Sequence, residues 1–521
     1  MIPVSVAQFG AMTSRTMLAV AVATIVALGA WNTADAATCE SVLSLKLPNT
    51  TITSARLAAP GPFTLPPGPP VTVPNPAVLT SLPAFCRVLA TLTPTSDSDI
   101  KVEVWLPSAG WNGKLQSVGN GAWAGVLPYP ALAQAILDGY VGAGTDTGHV
   151  GNTATFVPGH PEKMIDYGYR AVHEMTVAAK AIIAAFYGTA PRRSYWNGCS
   201  NGGRQGLMEA WRYPADYDGI IAGAPVNQRT HQLTAELWIA RAVHNNEASY
   251  IPPAKYPVIH RAALDACDAR DGLTDGLIDD PRACTFDPKM LECKAGDGPS
   301  CLTAPQVEAA RRIYSPVVAP STKKEIFPAM QRGGELLWDT LAGPQPIAEA
   351  VEFFQYVVFN DPTWDFKTLS FDTAADLADK AAGHLLNVID PNLKPFFDRG
   401  GKILLWHGWN DQFVSPINSI NYYTSILDAP ATKGQLADSI KLFMAPGMNH
   451  CRGGDGPNTF DSMGALDRWI ERGQTPNRLD ASHATGGKVD RTRPLCAYPQ
   501  VARYNGTGSI DDAANFTCRL P

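Results

Sequence analysis

The sequence contains no cysteine pair with the C-x₂₋₄-C spacing of structural zinc sites, although it has ten cysteines among 521 residues. Disulfides are the expected use of these cysteines, and they are typical of exported proteins. Pairing sequence neighbours leaves Cys199 and Cys451, far apart in the chain, to pair with each other. The four other predicted disulfides are Cys39–Cys86, Cys267–Cys284, Cys293–Cys301 and Cys496–Cys518.

The sequence also lacks a strong excess of charge of either sign, with 42 Lys and Arg against 48 Asp and Glu. This balance argues against nucleic acid or an anionic membrane surface as the main partner.

The sequence has one long apolar run, at residues 17–30, which is too short to span a bilayer comfortably. It follows Arg15 and precedes Ala34 and Ala36, which gives the order of parts of an export signal. Residues 1–36 are therefore predicted to be a signal peptide, with a buried helix as the alternative. The mature protein is expected to be secreted or periplasmic and not embedded in a membrane.

The candidate nucleophile lies in segment 198–204, with the sequence GCSNGGR. Gly198, Ser200 and Gly202 fit the G-x-S-x-G turn that raises a serine hydroxyl above a parallel sheet. An apolar strand pattern precedes the turn and a helix pattern follows it. The motif alone is a weak signal, because glycine and serine are common residues.

Strand and helix patterns alternate on both sides of Ser200, which predicts a mostly parallel, doubly wound sheet of the α/β-hydrolase type. The alternation stops between residues 226 and 392, where prolines, aromatics and four cysteines collect. We predict a large inserted lid domain there. The hydrolase domain would then comprise residues 37–225 and 393–521, with a proline-rich N-terminal arm from Cys39 to Cys86.

A glycine-rich loop at 119–125 follows a predicted strand, but no G-K-[ST] follows it, which disfavours a phosphate-binding loop. We interpret it as backbone that approaches a reacting oxygen. His149 lies after the next strand, yet it precedes the serine, contrary to the Ser…Asp…His order of this fold. A packing role is therefore expected for His149.

The remaining triad candidates are Asp411 and His450, each directly after an apolar strand. The order Ser200…Asp411…His450 matches the α/β-hydrolase fold. Asp398 is the alternative acid, but it precedes its strand. Cys199 and Cys451 adjoin the serine and the histidine, so a disulfide between them would be compatible with a nearby Ser200 and His450.

An acidic loop at 268–280 has carboxylates at Asp268, Asp271 and Asp275, separated by glycines that permit tight turns. Such carboxylates can gather around one hard cation, although the spacing differs from that of an EF-hand. The alternative is a solvated acidic turn held by the Cys267–Cys284 disulfide.

Segments 198–204, 268–280, 407–411 and 446–451 resemble the tannase and feruloyl esterase family, which includes the hydrolase of mono(2-hydroxyethyl) terephthalate. The ending at 491–499 is similar as well, so the resemblance covers nearly all of the mature chain. It implies a Ser–His–Asp esterase with a lid and a structural Ca²⁺. The implied Ca²⁺ ligands are the carboxylates of Asp268, Asp271 and Asp275 and the carbonyls of Leu273 and Leu277.

The resemblance also implies an oxyanion hole built from the backbone N–H groups of Ala122 and Asn201. In the family this loop is commonly a run of glycines, so Ala122 is a departure that keeps the donor but leaves less room.

The expected activity is hydrolysis of esters of aromatic acids through an acyl-enzyme, as in feruloyl esterases. Tannase and terephthalate-monoester hydrolase remain alternatives. A catalytically inactive, calcium-stabilised binding protein is an alternative of another class, which the presence of all three triad residues disfavours. The expected apolar walls of the acyl site are lid aromatics, namely Trp238, Phe353, Phe354, Tyr356 and Trp364.

Overall fold

A nine-stranded sheet forms the centre of the computed structural model, which describes residues 38–68, 75–431, 434, 436 and 438–521. The predicted signal peptide lies outside these residues. The strands are β1 (Thr50–Ala58), β2 (Phe85–Leu92), β3 (Ile100–Pro107), β4 (Lys114–Val118), β5 (Val141–Thr145), β6 (Arg193–Cys199), β7 (Gly219–Gly223), β8 (Val317–Val318), β9 (Glu325–Phe327), β10 (Lys402–Gly408), β11 (Ile440–Ala445), β12 (Thr459–Phe460), β13 (Arg478–Thr485), β14 (Lys488–Cys496), β15 (Val501–Tyr504) and β16 (Phe516–Arg519).

The helices occupy both sides of the sheet and the long segment between β7 and β10. They are α1 (Tyr129–Leu137), α2 (Pro161–Ile165), α3 (Ala171–Tyr187), α4 (Asn201–Arg212), α5 (Arg229–His244), α6 (Tyr256–Cys267), α7 (Ala304–Ile313), α8 (Asp339–Ala342), α9 (Ala348–Glu352), α10 (Ala374–Ala378), α11 (His384–Leu386), α12 (Lys394–Phe397), α13 (Pro416–Asp428) and α14 (Ser462–Arg472).

The strand order of the sheet is β1-β2-β3-β5-β4-β6-β7-β10-β11. The strands from β5 to β11 in this order run parallel, whereas β1, β2 and β3 pair antiparallel at one edge. Strand β1 lies within the segment predicted to be an arm. That prediction missed its place in the sheet, because β1 has little apolar alternation and is held by backbone pairing at the edge.

Both faces of the parallel strands are buried, which explains their nearly continuous apolar sequences. In β10, Ile403 and Leu405 join one hydrophobic cluster, which includes residues of α3, α4 and α13. Leu404 and Trp406 join the opposite cluster with residues of α1 and α14. The predicted doubly wound α/β-hydrolase fold is therefore confirmed.

The segment between β7 and β10 contains helices α5 to α12 and the short hairpin β8–β9. All residues of this segment are described, and none of them forms a strand of the nine-stranded sheet. It has hydrophobic clusters of its own, one of them around α6 and α7. Residues 37–521 form one compact unit, so the domain boundaries at 226 and 392 stay a prediction.

Candidate active site

Ser200 lies in the tight turn between β6 and α4, with φ 63° and ψ −124°. Its backbone N–H donates to the Gly223 carbonyl at 2.9 Å, which fixes the turn above the sheet. A Cβ on Gly198 would lie 2.5 Å from the carbonyl oxygen of Gly202, so a larger residue cannot fit there. Glycine spacing thus permits a strained turn with the serine at its apex.

The glycine-rich loop lies directly against this turn, since a Cβ on Gly119 would be 2.6 Å from the Gly202 Cα. Ala122 has φ 48°, and its carbonyl accepts a hydrogen bond from the Tyr167 hydroxyl at 3.1 Å. In the described part of the chain the Ala122 N–H has no acceptor. The N–H of Asn201, first in α4, has no acceptor inside the helix. Both donors are thus available to a ligand.

Arg204, one turn into α4, is fully buried and ties the start of this helix to its surroundings. Its Nε donates to Asn201 Oδ1 at 2.7 Å, and its Nη1 donates to the Gly168 carbonyl at 2.9 Å. Burial lowers the pKa of Arg204 to about 10. The sequence showed Arg204 only as part of the motif, without this anchoring role.

Asp411 and His450 meet above the ends of β10 and β11. His450 Nδ1 lies 2.6 Å from Asp411 Oδ2, and the backbone N–H of His450 donates to Gln412 Oε1 at 3.1 Å. Burial alone raises the pKa of the Asp411 carboxyl, but the neighbouring His450 and the hydrogen bonds from His450 and His407 hold that pKa well below its ordinary value. Asp411 is therefore a stable anion beside an imidazole.

The five disulfides of the structure are the five predicted pairs. The bridge between Cys199 and Cys451 joins the residue before Ser200 to the residue after His450, with the two Cα atoms 6.0 Å apart. Among the residues that the structure describes, the Ser200 hydroxyl makes no hydrogen bond. The hydrogen bond between a catalytic serine and its histidine often forms fully only when substrate binds.

The structure separates the other two candidates from this centre. Asp398 is exposed and forms an ion pair with Lys394 at 2.5 Å. His149 is buried and stacks on Phe156 with ring centroids 3.8 Å apart. Burial lowers the pKa of His149 to about 4, so the ring is neutral and packs against the glycine-rich loop.

His407 is a site residue that the sequence motif contained but did not explain. Its Nε2 lies 2.9 Å from Asp411 Oδ2, and its Nδ1 lies 2.7 Å from the Ser419 hydroxyl. Ser419, its partner on α13, becomes visible only when this helix folds over the end of β10.

An aromatic wall adjoins His450, since the Phe413 ring lies 5.1 Å from the imidazole. Phe413 also lines a small cavity with Trp238 and Phe327. In contrast, Phe353 and Phe354 are fully buried in a cluster that includes Trp123 of the glycine-rich loop.

In the acidic loop, Asp271 and Asp275 lie near a fourth carboxylate, Asp279. Asp268 accepts backbone N–H groups of Asp275 and Gly276 at 3.1 and 2.9 Å, and Asp275 forms an ion pair with Arg493. In the described ranges, Asp271 Oδ2 and Asp279 Oδ1 are buried without a hydrogen-bond partner. Burial and the neighbouring Asp271 raise the pKa of Asp279 to about 8. Buried carboxylate oxygens that accept no hydrogen bond are the ligand type of a hard cation, so residues of this loop fit a bound cation.

A second group with metal-ligand chemistry contains His173, Glu209 and Asp216. His173 Nδ1 already pairs with Asp216 at 2.6 Å, and the Lys180 ammonium binds the Asp216 carbonyl. Because His173 and Lys180 already bind Asp216, we interpret the group as a structural anchor of α4.

Comparison with known proteins places this site in a family. The model of the tannase and feruloyl esterase family matches residues 86–519. An uncharacterised esterase of Xanthomonas campestris is 38% identical, covering 96% of this chain and 95% of its own length. A probable feruloyl esterase B-1 of Aspergillus oryzae is 31% identical, covering 84% and 85%.

The crystal structure of feruloyl esterase B from Aspergillus oryzae superposes with a TM-score of 0.84 at 29% identity, covering 92% of this chain and all of that one. In the described residues, no helix is long and apolar enough to cross a membrane. The chain is a carboxylic ester hydrolase and belongs to the tannase and feruloyl esterase family.

Proposed function

We propose that this esterase is exported and cleaves esters of aromatic acids with Ser200 as nucleophile, His450 as general base and Asp411 as its orienting anion. The observation that carries the proposal is the Cys199–Cys451 bridge, which connects the two neighbours of serine and histidine. The 2.6 Å contact of His450 with Asp411 supports the same roles.

The first step is attack of the Ser200 hydroxyl on the ester carbonyl while His450 Nε2 takes the hydroxyl proton. Asp411 receives the Nδ1–H of His450 and stabilises the imidazolium that forms. The N–H groups of Ala122 and Asn201 hold the tetrahedral oxyanion, and loss of one such donor costs roughly 100- to 1000-fold in kcat. His450 then protonates the leaving alcohol, which departs and leaves an acyl-serine.

In the second step a water molecule attacks the acyl-serine as His450 takes one of its protons. The acid is released, and the proton returns to Ser200. The Phe413 ring beside His450 supports an aromatic acyl group. Feruloyl esters are proposed first because relatives of this length are named feruloyl esterases.

The proposal includes a structural Ca²⁺ in the acidic loop. Asp268, Asp271 and Asp275 would supply carboxylate oxygens, and Leu273 and Leu277 would supply carbonyl oxygens, the ligand types that Ca²⁺ prefers. The buried Oδ2 of Asp271, which accepts no hydrogen bond among the described residues, supports it. Bound Ca²⁺ would supply positive charge to the loop and no step of the ester chemistry.

Export is proposed from the predicted signal peptide together with the five disulfides. Disulfides persist in oxidising compartments. Detection of the protein outside the cytoplasm with an N-terminus near residue 37 would test this part.

The test of the activity is turnover of methyl ferulate, methyl gallate and mono(2-hydroxyethyl) terephthalate by the wild-type protein and by Ser200→Ala. We expect the highest kcat/KM with methyl ferulate and no turnover above background in the variant. Preference for gallate or for the terephthalate would replace feruloyl esterase with the corresponding alternative. Equal, background-level rates in wild type and variant would favour an inactive binding protein.

A further inference from the structure

The Asp411 carboxylate binds a second histidine in addition to His450. Its Oδ2 receives His450 Nδ1 at 2.6 Å and His407 Nε2 at 2.9 Å. Its Oδ1 accepts the backbone N–H groups of Phe413 and Val414, each at 2.8 Å. The side chains of His407 and Asp411 are fully buried. The orientation of Asp411 is therefore set by four donors, and only His450 belongs to the proposed triad.

The hydrogen atoms of His407 can be assigned from its neighbours. Its Nε2 faces two acceptors, Asp411 Oδ2 and the Val414 carbonyl at 3.2 Å, so Nε2 carries a hydrogen. Its Nδ1 lies 2.7 Å from the hydroxyl of Ser419, which is buried and has no other partner among the described residues. Unless this hydroxyl donates to Nδ1, its hydrogen is buried without an acceptor, which is unfavourable. His407 is therefore a neutral imidazole.

We propose that Ser419 and His407 are positioning residues for Asp411, an inference that rests on the proposed triad. Ser419 keeps Nδ1 of His407 unprotonated, and His407 Nε2–H holds Asp411 Oδ2 in place for His450.

Neutrality of His407 matters because Asp411 must supply its negative charge to His450 when the imidazolium forms. A second imidazolium 2.9 Å from the same oxygen would compensate that charge. The titratable groups that face His407 are Asp411 and, across the same carboxylate, His450. From α13 the group that faces His407 is the uncharged Ser419.

The protonation state can be tested by ¹⁵N NMR of the full-length mature protein labelled at histidine, with His407→Gln to assign the signals. We expect one protonated nitrogen, Nε2, and one bare nitrogen, Nδ1, near neutral pH. In Ser419→Ala we expect His407 to take a second proton more readily. Two protonated nitrogens in the wild type, or no change in Ser419→Ala, would overturn the inference.

Kinetics test the consequence, with Ser425→Ala as the matched control because Ser425 lies on the same helix and its hydroxyl donates to the Tyr422 carbonyl. We expect His407→Leu to lower kcat by roughly 100-fold with KM little changed, since small errors in position have effects of this size. His407→Gln keeps a donor and should recover part of the loss. Wild-type kcat in folded His407→Leu, or a His407→Gln no better than His407→Leu, would contradict the proposal.

Ser419→Ala removes only a hydroxyl and should fold even where changes at His407 do not. We expect kcat to fall about 10-fold, a smaller loss because His407 remains in place. The acid limb of the pH–rate profile should move to lower pH, because a protonated His407 weakens the support that Asp411 gives to the catalytic imidazolium. A wild-type rate and profile would overturn the proposal. If Ser200→Ala retains full turnover, the proposed triad itself fails, while the NMR result still reports on His407.

Discussion

The candidate triad and the acidic loop both bury carboxylates, but the protein satisfies them differently. Both oxygens of Asp411 are filled by donors of the chain itself, and its pKa lies well below the ordinary value. In the acidic loop as described, Asp271 and Asp279 each keep one buried oxygen without a hydrogen-bond partner, and the pKa of Asp279 is raised to about 8. The carboxylate of the candidate triad is satisfied within the chain, whereas the acidic loop has the oxygen ligands that fit an added cation.

The two regions nevertheless touch. A Cβ on Gly447, three residues before His450, would lie 2.5 Å from the Cδ2 of Leu277 in the acidic loop. Residues that the sequence separates widely therefore pack against each other, and the acidic loop supports the loop that carries His450. A cation in the acidic loop would therefore affect the position of His450 as well as the stability of the fold.

The largest expected effect is that of Asp411→Asn. Because the amide cannot stabilise the imidazolium and favours the wrong imidazole tautomer, we expect kcat to fall by about 10⁴-fold with the fold retained. Circular dichroism and kcat on a feruloyl ester would check both parts. The matched control is Asp398→Asn, at an exposed residue paired with Lys394, which should behave as wild type. An active Asp411→Asn with an inactive Asp398→Asn would reverse the assignment.

Sequence reasoning succeeded where local geometry forces residue identity. The turn at Ser200 needs small residues, and the space beside Gly198 has no room for a Cβ. The turn therefore requires glycine there, and the motif can be recognised from the sequence. The Cys199–Cys451 pairing also followed from the sequence, because the other cysteines pair with near neighbours. The α/β-hydrolase fold followed from the alternation of strands and helices.

Sequence reasoning failed where a role depends on which segments meet in space. His407 lies in a buried apolar strand, and only the docking of Ser419 from α13 reveals its hydrogen bonds. Asp279 joins the acidic cluster because the loop folds back toward Asp271, which spacing alone does not show. Strand β1 joins the sheet by backbone pairing, for which its side chains give little signal.

The second prediction concerns the disulfide at the triad. Replacing Cys199 and Cys451 with serine should lower turnover per folded molecule by about 100-fold, because errors near 1 Å in the distance between base and nucleophile have effects of this size. The control is the double replacement of Cys496 and Cys518, which join β14 to β16 and are not sequence neighbours of a triad residue. Equal kinetics of the two double variants would show that the bridge near Ser200 has no special role in positioning.

The third prediction concerns the acidic loop. Chelation should lower Tm and added Ca²⁺ should restore it, since a ligand at 100 times its Kd stabilises the folded state by about 3 kcal/mol. Asp268→Asn should abolish this response, whereas Asp361→Asn, at an exposed carboxylate, should keep it. Calorimetry with elemental analysis is the measurement. A Tm indifferent to chelator, with no metal found, would identify the loop as an ordinary acidic turn.

The smallest expected effect tests the contact between the two regions, using Gly447→Ala with Gly453→Ala as its control. The two glycines have φ of 70° and 69°, but a Cβ on Gly453 meets no atom within 4 Å, whereas one on Gly447 meets Leu277 and the Gly456 backbone. Both variants carry the cost of a left-handed alanine, about 1 kcal/mol. Overpacking should add about 1–3 kcal/mol at Gly447 alone. Thermal melts and kcat of both variants are the measurement.

Because the displaced loop leads to His450, Gly447→Ala should lower kcat as well as Tm, whereas Gly453→Ala should lower Tm slightly and leave kcat unchanged. Adding Leu277→Ala to Gly447→Ala opens space at the clash, so the pair should be less destabilised than the sum of the single changes. If Gly447→Ala and Gly453→Ala have the same Tm and kcat, the acidic loop does not support the His450 loop. The effect of a cation would then be confined to stability, and the two regions would act independently.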